Sequence, residues 1–327
     1  TVSNTGGQVG PGLSPGTLTI TGAYTQGASG TLNIEVGGTT VGTQYDRLAI
    51  SGLATLNGTL VATVINGFTP TLGNSFQFMS FGSRTGDFTT KTIAPQLQAD
   101  APGATAYTLS VRVAYLVTST ADSGAGSLRQ AIIDANTSAG LDAINFNIAG
   151  AGVHTIAPLT ALPNITDAVI IDGYTQPGSS FNELIVGNDA VLRIELDGSN
   201  VLANSGLFIT AGNSTVRGLV INRFGIQGIT LESGGNNIIE GNFIGTDPTG
   251  TIDRGNLLEG ILIWSGSENN TIGGTTPAAR NLLSGNNLSG IQIQNNTTGV
   301  TGNLVQGNYI GTNASGTTAL SNGTSGI

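Results

Sequence analysis

The sequence has no cysteine and only one histidine, one lysine, one methionine and one tryptophan among its 327 residues. Without cysteine there are no disulfides, thiolate zinc sites or thiol nucleophiles. The lone His154 cannot build a histidine-rich zinc site, and no motif-placed nucleophile completes a triad with it; it reads as a surface strand residue. Lys91 follows Thr90, so the phosphate-cradling pattern G-x-x-x-x-G-K-[ST] does not occur. Charged residues make up 9% of the chain, with 10 basic against 19 acidic side chains and a net charge of -9, which makes nucleic acid a poor partner. No run of 18 apolar residues is present to form a membrane-spanning helix. Aromatics are 5%, so any core is built from small branched side chains.

Glycine is abundant, with 51 residues. Regular Val, Ile and Leu runs distinguish the chain from a disordered polar polymer. Residues 1–115 alternate apolar and polar positions, as in Leu18 and Ile20, Leu32, Ile34 and Val36, Leu48 and Ile50, and Leu60, Ala62 and Val64. This is the period of strands with one buried face. Gly16-Thr17-Leu18, Gly30-Thr31-Leu32 and Gly58-Thr59-Leu60 share a tripeptide, and Leu18, Leu32, Leu48 and Leu60 follow one another at similar intervals, which suggests a repeating strand-and-turn unit. Phe76, Phe78, Phe81 and Phe88 concentrate aromatics as though closing one end. The expected domain 1–115 is a small all-β unit, solenoid or sandwich.

Residues 116–327 form the second expected domain. One helix is expected near 127–136: Ser127 and Gln130 fit a capping box, and Leu128, Ala131, Ile132 and Ala135 share a face. Ten residues are too few to hold a helix alone, so that face should cover an apolar solenoid end. Beyond it, Gly-aliphatic units begin at Gly206, Gly228, Gly260, Gly290 and Gly326, and Asn237–Ile261 aligns without gaps on Asn303–Ile327. The spacings are coil lengths, two coils per genetic repeat, and the strands are too short and close for βαβ units. The expected fold class is all-β: a right-handed parallel β-helix with an N-terminal capping α-helix, its hand taken from the rule for parallel crossovers. Coils one ~4.8 Å rung apart stack equivalent side chains, so Asn242, Asn286 and Asn308 are expected to form one ladder.

The stretch Ala121-Asp122-Ser123-Gly124-Ala125-Gly126-Ser127-Leu128-Arg129-Gln130-Ala131-Ile132 resembles the N-terminal cap of CSLREA-type bacterial surface proteins, with Gly126 where the cysteine of that name stands. Ala161–Thr166, Ile171–Gly178, Asn270–Gly274 and Gly307–Thr312 look like the β-helix repeats found with that cap. Ser14–Leu18 and Thr43–Leu48 resemble the passenger β segments of autotransporter-like or haemagglutinin-like proteins. The resemblance implies a secreted or cell-surface bacterial protein with an adhesive or structural role, a fragment of something larger, and it transfers no catalytic residue.

Gly12-Leu13-Ser14-Pro15-Gly16 matches G-x-S-x-G, but Pro15 has no N–H to serve an oxyanion, and the segment reads as a turn. Asp172 and Asp197, each in an Asp-Gly pair and about one coil apart in sequence, are expected on the same turn of adjacent coils, where carboxyls ~5 Å apart would suit a retaining glycosidase or hold calcium. Glu195 lies on the same strand face as Asp197. Asp-Gly also simply ends strands. Asn164, Asn213, Asn287 and Asn313 head Asn-x-Ser/Thr sequons, and Thr17, Thr19 and Thr21 offer a hydroxyl rank of the carbohydrate- or ice-binding kind.

The leading expectation is a non-enzymatic extracellular scaffold with no cofactor, an adhesin stalk or a matrix or surface fibre subunit. Because Ile327 aligns with the strand start Ile261, the expected partner is a second copy stacked head to tail or more of a larger surface polypeptide. The alternative is a polysaccharide lyase or glycoside hydrolase using Asp172, Asp197 and Glu195.

Overall fold

The computed structural model describes residues 1–327 except 72–73, 95, 101 and 295–298. The chain divides into two compact units, Thr1–Val113 and Ala114–Ile327.

In the first unit the alternating strands fall into three sheets in rotation. One holds Val2–Asn4, Tyr24–Gln26, Leu53–Leu56 and Ser83–Gly86; the second Gln8–Val9, Thr31–Val36, Thr59–Val64 and Thr90–Ile93; the third Thr17–Ile20, Arg47–Ile50 and Ser75–Ser80. All these pairings are parallel. The unit is therefore solenoid-like, and the leucine-to-leucine interval, about half a coil, is not its repeat. Leu32 stands in register with Leu60 on the second sheet, whereas Leu18 pairs with Leu48 on the third. The shared tripeptide marks strand starts on two faces, and one full coil runs from Thr31 to its register partner Thr59, or from Thr17 to Arg47. At one end the third sheet turns antiparallel: Ala106–Val111 pairs with Ser75–Ser80 and Leu97–Ala99 with Ala106–Val111. Tyr107 arrives there between Phe78 and Phe88, at ring-centroid distances of 5.0 and 5.8 Å, so the aromatics seal that end of the core.

The second unit repeats the principle with three parallel sheets, of seven, six and four strands. The first holds Ala114–Val117, Asp142–Phe146, Val169–Asp172, Thr215–Arg217, Ile238–Glu240, Thr271–Gly273 and Leu304–Gln306. The second holds His154–Ile156, Ile194–Asp197, Leu219–Asn222, Phe243–Ile244, Leu282–Leu283 and Tyr309–Ile310. The third holds Leu207–Ile209, Ile229–Glu232, Ile261–Trp264 and Ile291–Gln294. Successive coils, 142–165, 169–209, 215–232, 238–264, 271–294 and from 304 onward, each add a strand to the sheets in turn. Coil 142–165 reaches the third sheet only as a bridge from Ile165 to Ile209.

Register converts this sequence into a core. Ile144, Ile171, Val216, Ile239, Ile272 and Val305 form one column, and Ile156, Leu196, Ile221, Ile244, Leu283 and Ile310 another. Branched aliphatics suit such columns because they pack on a pleated surface with little rotamer loss. At the third sheet's edge the glycines of the Gly-aliphatic units do stack. A Cβ on Gly260 would stand 2.6 Å from the Gly290 carbonyl oxygen, and one on Gly228 would stand 2.8 Å from that of Gly260.

The helix runs Leu128–Thr137 and buries Leu128, Ala131, Ile132 and Ala135 in the core at the first coil, beside Val117, Ile144 and Phe146. Its cap is half of the expected box. Ser127 Oγ accepts from Gln130 N at 3.2 Å, but the Gln130 amide donates to Asp134 Oδ1 at 2.8 Å, one turn on, and the Ser127 N–H is already bonded to the Gly124 carbonyl. Gly126 has φ +75°, a left-handed conformation that a cysteine would strain, and a Cβ there would also push against the Thr118 hydroxyl.

Candidate functional site

The acidic residues singled out from the sequence lie on the outer faces of the second unit, in two clusters rather than one. Asp172 ends a strand of the first sheet and Asp197 ends a strand of the second, both within coil 169–209. They are therefore not stacked. Their separation in sequence matches a coil length only because residues 173–193 make a long excursion between the two strands.

Each carboxylate instead meets an arginine of the next coil. Asp172 Oδ2 lies 2.8 Å from Arg217 Nη2, its register partner, and Oδ1 accepts the Tyr174 N–H at 3.1 Å. Arg217 continues to Glu240 Oε1 at 3.6 Å, again in register, so the column Asp172, Arg217, Glu240 alternates in sign. Burial opposes the Arg217 charge, but the two carboxylates outweigh it and hold the guanidinium more firmly protonated than usual. In the second cluster Arg223 Nη2 lies 2.9 Å from Asp197 Oδ2 and 3.7 Å from Glu195 Oε1. Glu195 also accepts from Asn222 Nδ2 at 2.9 Å and from the Thr155 hydroxyl at 2.7 Å, while Asp197 Oδ1 accepts the Ser199 N–H at 3.0 Å. These arrangements neutralise carboxylates and tie coils together. Among the described residues, no group of three or more His, Asp or Glu side chains is placed to hold a metal ion.

The asparagines form three ladders, not one. Asn286 belongs to a different ladder from Asn242 and Asn308. The first runs Asn242, Asn281, Asn308, with side-chain amides donating to the next Oδ1 at 3.2 and 2.9 Å. The second runs Asn256, Asn286, Asn322 at 2.9 and 3.1 Å. In the third, Asn237, Asn270, Asn303, each Oδ1 accepts the N–H of the preceding asparagine at 2.9 Å. Asn242, Asn281, Asn256, Asn286, Asn237 and Asn270 are fully buried. Each ladder spans two coils, the length of the repeat that carries Asn237 to Asn303, and its intermediate member, Asn281, Asn286 or Asn270, lies on the coil between. The Gly-Asn dipeptide picked out Asn242, Asn286 and Asn308 but missed Asn281, which follows Arg280.

Other expectations fall as follows. Ser14 sits in a turn before Thr17–Ile20, its hydroxyl bonded to the Glu35 carboxylate, and the adjacent Asp46 accepts from Gly16 N at 2.6 Å and Glu35 N at 2.9 Å. Burial pushes the Asp46 carboxyl above its ordinary range against the pull of those two donors. Thr17 and Thr19 pair in register with Arg47 and Ala49 and so begin no hydroxyl column, whereas Ser3, Thr25, Thr55 and Thr85 share one. His154 opens a strand, half-buried, with its N–H on the Arg193 carbonyl. No protein-family model matches the chain, and no curated protein matches it.

Proposed function

We propose that the chain is a non-enzymatic extracellular structural protein, an adhesin stalk or a subunit of a surface or matrix fibre. In this reading the second unit is a right-handed parallel β-helix with a CSLREA-type cap, and the near-universal right hand of parallel crossovers supports that hand. One observation carries the structural role: apolar, asparagine and glycine columns continue from coil to coil in register, so side-chain chemistry is devoted to joining coils. Asp172, Asp197 and Glu195 fit the same role through their intercoil arginine pairs. Head-to-tail association with a second copy, or with more of a larger surface polypeptide, is part of the proposal.

Size-exclusion chromatography and negative-stain microscopy test the fibre element: growth of elongated particles with concentration is expected, and a monomer at every concentration would remove self-association. The competing reading, a polysaccharide lyase or hydrolase, draws on Glu195 and Asp197 both reaching Arg223 from one strand face. Incubation with acidic and neutral polysaccharides should release no reducing or unsaturated ends. Release that disappears in Asp197→Asn or Asp172→Asn would replace the structural reading with an enzymatic one.

A further inference from the structure

In a stack of coils each repeat ordinarily contacts only its neighbours, so stability is a sum of local terms and the ends can peel away coil by coil. The second unit departs from this through residues 173–193, the excursion between Val169–Asp172 and Ile194–Asp197.

This segment belongs to coil 169–209 but is bonded to three coils further along. The Tyr174 hydroxyl donates to the Gly241 carbonyl at 2.8 Å, and Asn182 Nδ2 donates to the Pro277 carbonyl at 2.9 Å. Arg280 donates to the carbonyls of Leu184 and Ile185 at 3.0 and 2.8 Å and to that of Gly187. Tyr309 accepts the Gly187 N–H at 2.7 Å on its hydroxyl, and its ring lies 4.6 Å beneath the Arg280 guanidinium. The partners are 67 to 122 residues apart.

Beneath the segment lies a second apolar cluster, outside the main core. Val220, Phe243, Leu282 and Tyr309 alternate with the inward residues of the second sheet and stand in register on its outer face. Leu192 and Ala190 pack on this column from the excursion. A sheet face that would otherwise meet water is thus roofed by chain from several coils away, and Asn182, 3% exposed, fixes the roof's own turn by accepting from Leu184 N and Asp189 N.

We propose that residues 173–193 are an axial staple, which couples coils 169–209, 238–264, 271–294 and the strands after 304 into one cooperative unit and suppresses their stepwise unravelling. The inference rests on the fold alone. Under the stalk reading it gives the staple a task, since tension that would peel one coil is shared among several.

The test is native-state hydrogen exchange on the full chain, resolved by strand. In the parent protein, Thr271–Gly273, Leu282–Leu283 and Tyr309–Ile310 should exchange together with Val169–Asp172 and Ile194–Asp197. In Arg280→Met, or in Arg280→Lys, which keeps the charge but loses the fork, the three later strands should exchange roughly tenfold faster while the two earlier ones hold, and the urea transition should broaden or split. Tyr309→Phe, which keeps the ring, provides a milder variant should either of these fold poorly. Gly260→Ala is the control, because it weakens coil packing without touching the staple. Arg280 variants that raise exchange evenly through the unit, as the control should, would overturn the proposal. Its outcome is independent of the particle-assembly and polysaccharide tests.

Discussion

Arg217 and Asp172 are 45 residues apart in sequence, yet they face each other in register on adjacent strands with their charged atoms 2.8 Å apart. The pair shows one use of charge in this chain: Arg217 and Arg223 each bridge coils through carboxylates.

Because the Arg217 side chain is a third exposed, its pairing is partly screened and should contribute about 1 kcal/mol. Urea denaturation of Asp172→Asn, Arg217→Met and the double variant measures this as a coupling energy. A coupling near zero would mean that the column merely tolerates these charges.

Asn281→Ala should be costlier. Asn281 Oδ1 accepts from both the N–H and the amide of Asn242, and its own amide donates to the Ile239 carbonyl at 2.7 Å. Removing it strands buried groups of coil 238–264, and a loss of about 1–3 kcal/mol is expected in chemical denaturation. The exposed Asn200→Ala should be close to neutral.

Gly260→Ala places a methyl 2.6 Å from the Gly290 oxygen and 2.9 Å from Asn286 Nδ2. A lowering of stability by about 1–3 kcal/mol is expected, whereas Gly10→Ala, where no atom lies within 4 Å, should change the melting temperature little.

Acid should loosen the helical cap. Arg129, through its hydrogen bond at 2.7 Å, and then the Leu159 N–H hold the Asp122 carboxyl below the usual carboxylate range. A depressed folded value means that this stabilisation is present above the unfolded value of about 4 and disappears as pH falls through the folded one. Melting temperature measured between neutral and acid pH should fall less steeply in Asp122→Asn than in the parent, and helix exchange protection should follow the same course.

Much of the fold was legible because stacking writes itself into the sequence. The Gly-aliphatic units and the match of Asn237–Ile261 to Asn303–Ile327 are visible since equivalent positions meet equivalent neighbours on every coil. What misled was spacing taken without sheet identity. Leu18 and Leu32 look like successive repeats but start strands on different sheets, and Asp172 and Asp197 look one coil apart but share a coil. The staple left no periodic trace, because Asn182 and Arg280 act once each and through backbone carbonyls that no side-chain pattern encodes. Asn281 was hidden for a related reason: its ladder neighbours follow glycine and it follows arginine.

The three asparagine ladders cover the same length of sequence from first member to third, although the individual steps differ, 39 and 27 in one, 30 and 36 in another, and 33 and 33 in the last. Adding one whole two-coil block after the staple's last anchor, Tyr309, would continue all three in phase, whereas half a block would keep only the ladder with equal steps. Duplication of such a block would therefore lengthen the second unit in whole-block increments while leaving the ladder contacts unchanged.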